Sequence, residues 1–165
     1  DAIDKAKFLA TQARDQAPHY EHSEVGYNYR LSNVSAAIGM GQLEVLKERV
    51  EQRRANYDFY KNQLSSIQQI SFLDEPDGFY SNRWLTTILL KDFDREKFRL
   101  FLEEDNIESR PLWKPMHMQP IFKNAKMYGS QVCESLFENG LCLPSGSNLS
   151  HEDLLRVVSQ IKKIF

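Results

Sequence analysis

At 165 residues the chain is long enough for one domain, whose core would bury roughly two-thirds of the unfolded surface, and a second domain of ordinary size does not fit. Hydrophobic residues at 41% and charged residues at 27% exclude a disordered tail; 21 Lys/Arg against 23 Asp/Glu, a net charge of −2, exclude the basic field that nucleic acid requires of a partner. No apolar run reaches the ~20 residues of a bilayer span and the first residues lack a signal peptide's apolar stretch, so the expected location is the cytoplasm, with no membrane partner.

The first segment, "DAIDKAKFLATQAR", reads as a short helical piece that begins without a cap and carries few core residues. Residues 15–30, "DQAPHYEHSEVGYNYR", are too aromatic for a flexible linker and are expected to form an ordered loop. Ser32 or Asn33 can cap the helix that follows. Its first turns hold Ser35, Ala36, Ala37, Gly39 and Gly41; two glycines in a helix interior cost about 1 kcal/mol each relative to alanine, which predicts close packing against another element. Leu43, Leu46, Val50, Tyr57, Tyr60 and Leu64 then form an amphipathic stripe, with "KERVEQRR" on the wet side. Unbroken from residue 33 to 64, this helix would be about 48 Å long, so a bend near Gly39–Gly41 or a bridge between two bodies is expected.

Further along, "ISFL" and "SNRWLTTILL" read as strands, "DREKFRLFLEEDN" as a helix with Phe98, Leu102 and Leu100 or Phe101 inward, and "IESRPLW" as a strand. Residues 130–139 read as a helix and "LCLP" as a buried strand. Ser150 with Asp153 resembles a capping box for a last helix carrying Leu154, Leu155, Val158 and Ile161. The order predicts an α+β fold, a small antiparallel sheet with helices on one face. Cys133 and Cys142 are expected to be buried free thiols.

Two stretches concentrate polar chemistry. In residues 26–30, Asn28 offers amide donors, Arg30 a planar fork suited to a carboxylate or phosphate, and Tyr27 and Tyr29 rings with polar tips. The same residue types also serve a plain structural role, with Asn28 holding a turn and Arg30 in a surface ion pair. In "SRPLWKPMHMQPIF", residues 109–122, three prolines stiffen the loop that presents Trp113, Lys114 and His117. His117 could meet a ligand hydroxyl or phosphate, or simply bond to backbone. Lys114 lacks a neighbouring acid or base and is read as solvated or ligand-pairing rather than as a Schiff-base lysine. His19 and His22 have metal-ligand spacing only on a helix, which Pro18 disfavours, so no metal is expected. There is no dinucleotide-binding fingerprint, P-loop or nucleophile elbow.

Taken together, "GYNYRLSNVSAAIGMGQLEVL", "ESRPLWKPMHMQPIF" and "GLCLPSGSNLS" resemble the DegT/DnrJ/EryC1/StrS family of pyridoxal-phosphate-dependent sugar aminotransferases, with the resemblance covering essentially the whole chain. It implies the C-terminal part of a fold-type I enzyme: residues 1–45 as a remnant of the large cofactor-binding domain with an interface loop, and 46–165 as the small α+β domain entered by a long helix. In the family, the lysine of the internal aldimine and the aspartate of the pyridine nitrogen lie upstream of the motif at residues 26–30. No catalytic residue is therefore expected in this chain, and a chain of this extent alone is expected to be inactive and not to hold pyridoxal 5'-phosphate. The resemblance implies cofactor binding by Asn28 across a homodimer in the parent enzyme. It implies substrate binding by Arg30 at the amino donor's carboxylate and by Tyr29, His117, Trp113 and Lys114. The implied reaction transfers an amino group, with glutamate as the expected donor, to a nucleotide-linked keto-sugar for surface glycans of the bacillosamine type. The alternatives are a non-enzymatic module on the same fold for dimerisation or nucleotide-sugar binding, and a degenerate regulator.

Overall fold

The first helix, α1 (Ala2–Ala10), is capped after all: Asp1 accepts from the amides of Ile3 (2.6 Å) and Asp4 (3.1 Å), and Asp4 completes a capping box. The computed structural model describes residues 1–165, which fall into two compact units, Asp1–Leu46 and Lys47–Phe165.

In the first unit, α1 ends at Thr11, whose hydroxyl donates to the Lys7 carbonyl (2.8 Å). Gln12 and Ala13 follow with φ of +69° and +49°, the left-handed region that costs an L-residue about 1–2 kcal/mol. Helix α2 (Asn33–Glu44) is capped by Ser32, which accepts from the Ser35 amide (3.1 Å). It has no buried residue, and a Cβ added at Gly39 or Gly41 would meet nothing within 4 Å. The close approach expected of these glycines does not occur within the chain. Nor does the long helix bend at them: it breaks at Val45, and α3 (Leu46–Leu64) begins one residue later.

The second unit is built on a four-stranded antiparallel sheet in the order β1 (Ile70–Phe72), β2 (Thr86–Leu90), β4 (Gly140–Leu143), β3 (Arg110–Pro111). Ile70 pairs with Leu90, Ile88 with Leu141 and Thr86 with Leu143, so these side chains share one face. Against that face pack Tyr60 and Leu64 of α3, Phe98 and Leu102 of α4 (Arg95–Glu104), and Leu154, Val157, Val158 and Ile161 of α6 (His151–Lys162), in one core cluster. Each such side chain contributes on the order of 1.5–3 kcal/mol by burial. Helix α4 starts where Asp94 accepts from the Glu96 (2.8 Å) and Lys97 (3.1 Å) amides, and those amides hold its carboxyl below the usual range. Ser150 and Asp153 form the capping box of α6.

Several expectations shift in detail. Leu155 is 44% exposed and Val157 takes its place in the core, because in α6 it is the 154, 157, 158, 161 spacing that faces the sheet. In α4, Leu100 is exposed and Phe101 half-buried. Residues 81–85 stay out of the strand because the Ser81 hydroxyl and Asn82 amide oxygen capture the Arg83 and Trp84 amides (3.1 Å each), and Arg83 adopts φ +47°. Cys142 in β4 is buried, but Cys133 is exposed, on an α5 (Val132–Asn139) that has no fully buried residue.

Candidate functional site

The six candidate residues fall on two loops, one in each unit. In Asp1–Leu46, the left-handed pair Gln12–Ala13 turns the chain so that Ala13 donates back to the Phe8 carbonyl (2.9 Å) and Gln12 to the Tyr27 carbonyl (3.1 Å). Tyr27 donates to Leu9 (2.8 Å) and Tyr29 to Ala10 (3.0 Å), with Asn28 bridged to Thr11. Gly26 is dictated by this crossing, since a Cβ there would sit 2.3 Å from the Ala13 nitrogen. The strand-like segment is thus held through its backbone, which leaves its side chains outward. Tyr27 and Tyr29 stack with centroids 5.3 Å apart; Asn28 and Arg30 are exposed and make no side-chain hydrogen bond or ion pair. Asn28 lines an open depression of about 830 Å³ with Tyr20, His22 and Glu24. His22 Nδ1 lies 2.9 Å from the Gln12 carbonyl, and no group of three His, Cys, Asp or Glu side chains is placed to hold a metal ion.

In Lys47–Phe165, the segment after β3 carries Trp113, Lys114 and His117, and closes in two short 3-10 turns at Met116–Met118 and Pro120–Phe122. His117 Nε2 lies 2.8 Å from Oε1 of Glu134 on α5, with both side chains about three-quarters buried. A carboxylate only accepts, so Nε2 carries the proton in this pair. Lys114 is exposed and unpaired. Trp113 stands 5.9 Å from Trp84, centroid to centroid, and the two indoles border a cleft of about 360 Å³ at the end of the sheet.

Trp84 is held in place from α3. Arg53 donates to its carbonyl, and Arg54 forks onto Glu75 through Nη1 (3.0 Å) and Nη2 (2.9 Å) while lying over the Tyr80 ring. Arg54 and the Ser81 amide together hold the Glu75 carboxyl down at about 2. Arg83 stacks over Tyr57, 3.7 Å from the ring centroid, and donates to the Leu73 carbonyl (2.9 Å). These contacts tie residues 73–84 to the helix, so Arg53 and Arg54 are not on a merely wet face. The thiol of Cys142 also lines the cleft, and burial pushes it up.

The model of the DegT/DnrJ/EryC1/StrS aminotransferase family matches residues 1–162, nearly the whole chain. The chain belongs to this family. Members are pyridoxal-phosphate-dependent aminotransferases, and two relatives and one solved structure illustrate the match. The chain is 49% identical over 170 residues to EpsN of Bacillus subtilis (strain 168), which carries the name of a pyridoxal phosphate-dependent aminotransferase; the match covers 99% of this chain and 44% of EpsN. It is 32% identical over 147 residues to the GDP-perosamine synthase of Escherichia coli O157:H7, covering 88% of this chain and 40% of that protein. The aminotransferase TlmJ of Streptoalloteichus hindustanus superposes with a TM-score of 0.81 at 24% identity, over 97% of this chain and 43% of TlmJ, which establishes a shared fold. The chain therefore spans less than half the length of the DegT/DnrJ/EryC1/StrS relatives it matches.

The family's cofactor carries a phosphate and an aldehyde. The Asn28 amide, exposed and unpartnered at a depression, fits a phosphate contact. No lysine is buried, and the least exposed, Lys61, is paired with Asp74, whereas a cofactor-binding lysine is activated by desolvation. Sequence reasoning missed Glu134, Trp84 and Glu75. Glu134 lies 17 residues from His117 and Glu75 lies 21 from Arg54, so neither pairing has a local signal.

Proposed function

We propose that this chain is the C-terminal part of a pyridoxal-phosphate-dependent aminotransferase of fold type I, which passes an amino group from an amino acid, glutamate foremost, to a nucleotide-linked keto-sugar for surface glycan biosynthesis. The observation that carries the reading is the family match over residues 1–162, joined by relatives such as GDP-perosamine synthase, whose product is by its name a nucleotide-linked amino sugar. Residues 1–45 would belong to the large domain and 46–165 to the small one. Pyridoxal phosphate, when bound in the parent homodimer, would supply the electron sink for amino transfer.

This chain's own residues have supporting parts in that scheme. Asn28 would donate its side-chain amide to the cofactor phosphate of the neighbouring subunit, and Arg30 would fork onto the donor's carboxylate, both free to do so because the loop is tied through its backbone. Tyr29 would wall that site. His117, with Nε2–H committed to Glu134, would offer Nδ1 as an acceptor to a sugar hydroxyl, with Trp113 and Lys114 along the same substrate. None of its exposed lysines is proposed as the covalent anchor, so the chain alone should not catalyse transfer.

The test is amino transfer from glutamate to UDP- and GDP-linked 4-keto-sugars by the full-length enzyme that contains this chain. Product formation is expected, and Arg30→Ala should raise the KM for glutamate by about tenfold or more, as loss of a charge-assisted bidentate contact does. Absence of transfer to either class of nucleotide sugar would overturn the reading.

A further inference from the structure

We propose that the cleft bordered by Trp84 and Trp113 is the subsite for the base of the nucleotide-linked substrate, with the Trp113 indole as its stacking surface. The proposal rests on the reading above that the substrate is nucleotide-linked. At about 360 Å³ the cleft lies in the size range of small-molecule sites. Its wall is aromatic: the indoles are 59% and 65% exposed and tilted 34° to one another, so neither covers the other's free face. An exposed indole face held on a fixed backbone offers stacking to any base without prior ordering.

The rim matches a base edge better than it matches a phosphate. Its one cation, Arg110, is already bonded to Glu108, Nε to Oε1 at 2.8 Å, so the pair presents a donor beside an acceptor with no net positive charge. A phosphate would meet the Glu108 carboxylate, whereas the mixed donors and acceptors of a base can be met by both side chains. Deeper in the wall, Ser109 is 7% exposed and its hydroxyl has no partner. Trp84 is fixed by Arg53 at its carbonyl and Trp113 by the β3 pairing beside it, so the cleft is formed within Lys47–Phe165 alone.

Trp84 and Trp113 are the only tryptophans of the chain, so its tryptophan fluorescence, excited beyond the absorption of its seven tyrosines, reports on this cleft. Titration of the 165-residue chain with UDP and with GDP should give saturable quenching by at least one of them, and none by ribose 5-phosphate or pyrophosphate. Trp113→Ala, a substitution at a largely exposed side chain, should weaken that binding about tenfold. In the full-length enzyme the same substitution should raise the KM for the nucleotide sugar by a similar factor and leave the KM for glutamate unchanged. Equal quenching by ribose 5-phosphate, or an unchanged nucleotide-sugar KM in an active Trp113→Ala enzyme, would sink the subsite while leaving the proposed reaction intact. Saturable, Trp113-dependent nucleotide binding by an enzyme that transfers no amino group would do the reverse.

Discussion

In Lys47–Phe165, side chains from three helices and three strands meet in one buried cluster, whereas in Asp1–Leu46 the single buried side chain is Ala13. The first unit instead relies on main-chain bonds, Gln12 to Tyr27, Tyr27 to Leu9 and Tyr29 to Ala10, threaded past a glycine and two left-handed residues. The difference separates two ways of ordering a chain. Burial fixes a body from within, without calling on its surface side chains. Backbone pairing fixes a loop whose side chains stay free to meet a ligand, which is how Asn28 and Arg30 come to be exposed on a defined backbone.

The largest effect should come from the core of the second unit. Phe98→Ala, at a fully buried ring, is expected to cost ~3–5 kcal/mol in urea unfolding, with the loss of protection in hydrogen exchange concentrated in α4, α6 and β4. Gly26→Ala probes the other mode: a Cβ 2.3 Å from backbone nitrogen should cost ~1–3 kcal/mol locally and deprotect the Tyr27 and Tyr29 amides. The contrast breaks if α4 and α6 amides speed up equally. Ser150→Ala removes an N-cap and should lower stability by ~1 kcal/mol, read as a fall in melting temperature. Gln12→Gly should go the other way and slow exchange at Tyr27 by relieving φ +69°, a gain of about 0.5 kcal/mol.

The last effect depends on pH. Glu75 has its carboxyl lowered from 4.5 to about 2 in the folded chain, first by Arg54 and then by the Ser81 amide, so the stability it contributes is present above pH 4.5 and is lost as pH falls through about 2. Wild type should therefore lead Glu75→Gln in thermal stability at neutral pH, and the lead should shrink across that acid window. A lead that stays constant from pH 7 to pH 2 would detach the Arg54–Glu75 fork from the holding of the Trp84 loop.

Where the sequence carried a local rule, it could be read. The Ser150 box, the Phe98–Leu102 spacing and a buried strand at "LCLP", which the structure places one residue earlier at Gly140–Leu143, each follow from neighbours within a few residues. The start of β2 could not be read, because whether Ser81 and Asn82 bond their own backbone or join a ladder is settled by the turn they form. The candidate loops were visible as concentrations of Asn, Arg, Tyr, Trp and His, yet residue types alone left Arg30 and His117 open between support and ligand binding. The function proposed above takes the ligand-binding reading of both. The Trp84–Trp113 cleft, joining residues 29 apart across a sheet end, had no signature at all.

The strand order has a consequence for the chain in synthesis. β4, central in the sheet and paired on both sides, is the last strand to be made, so β2 and β3 must wait as unpaired edges until residue 143 has emerged. The closing step is a non-local insertion, which is slow, and until it occurs the Thr86–Leu90 edge is a template for pairing with another chain. A nascent chain stopped short of Gly140 would lack both β4 and the core face of α6 and expose that edge, and would be a target for chaperones or aggregation rather than a smaller working fold.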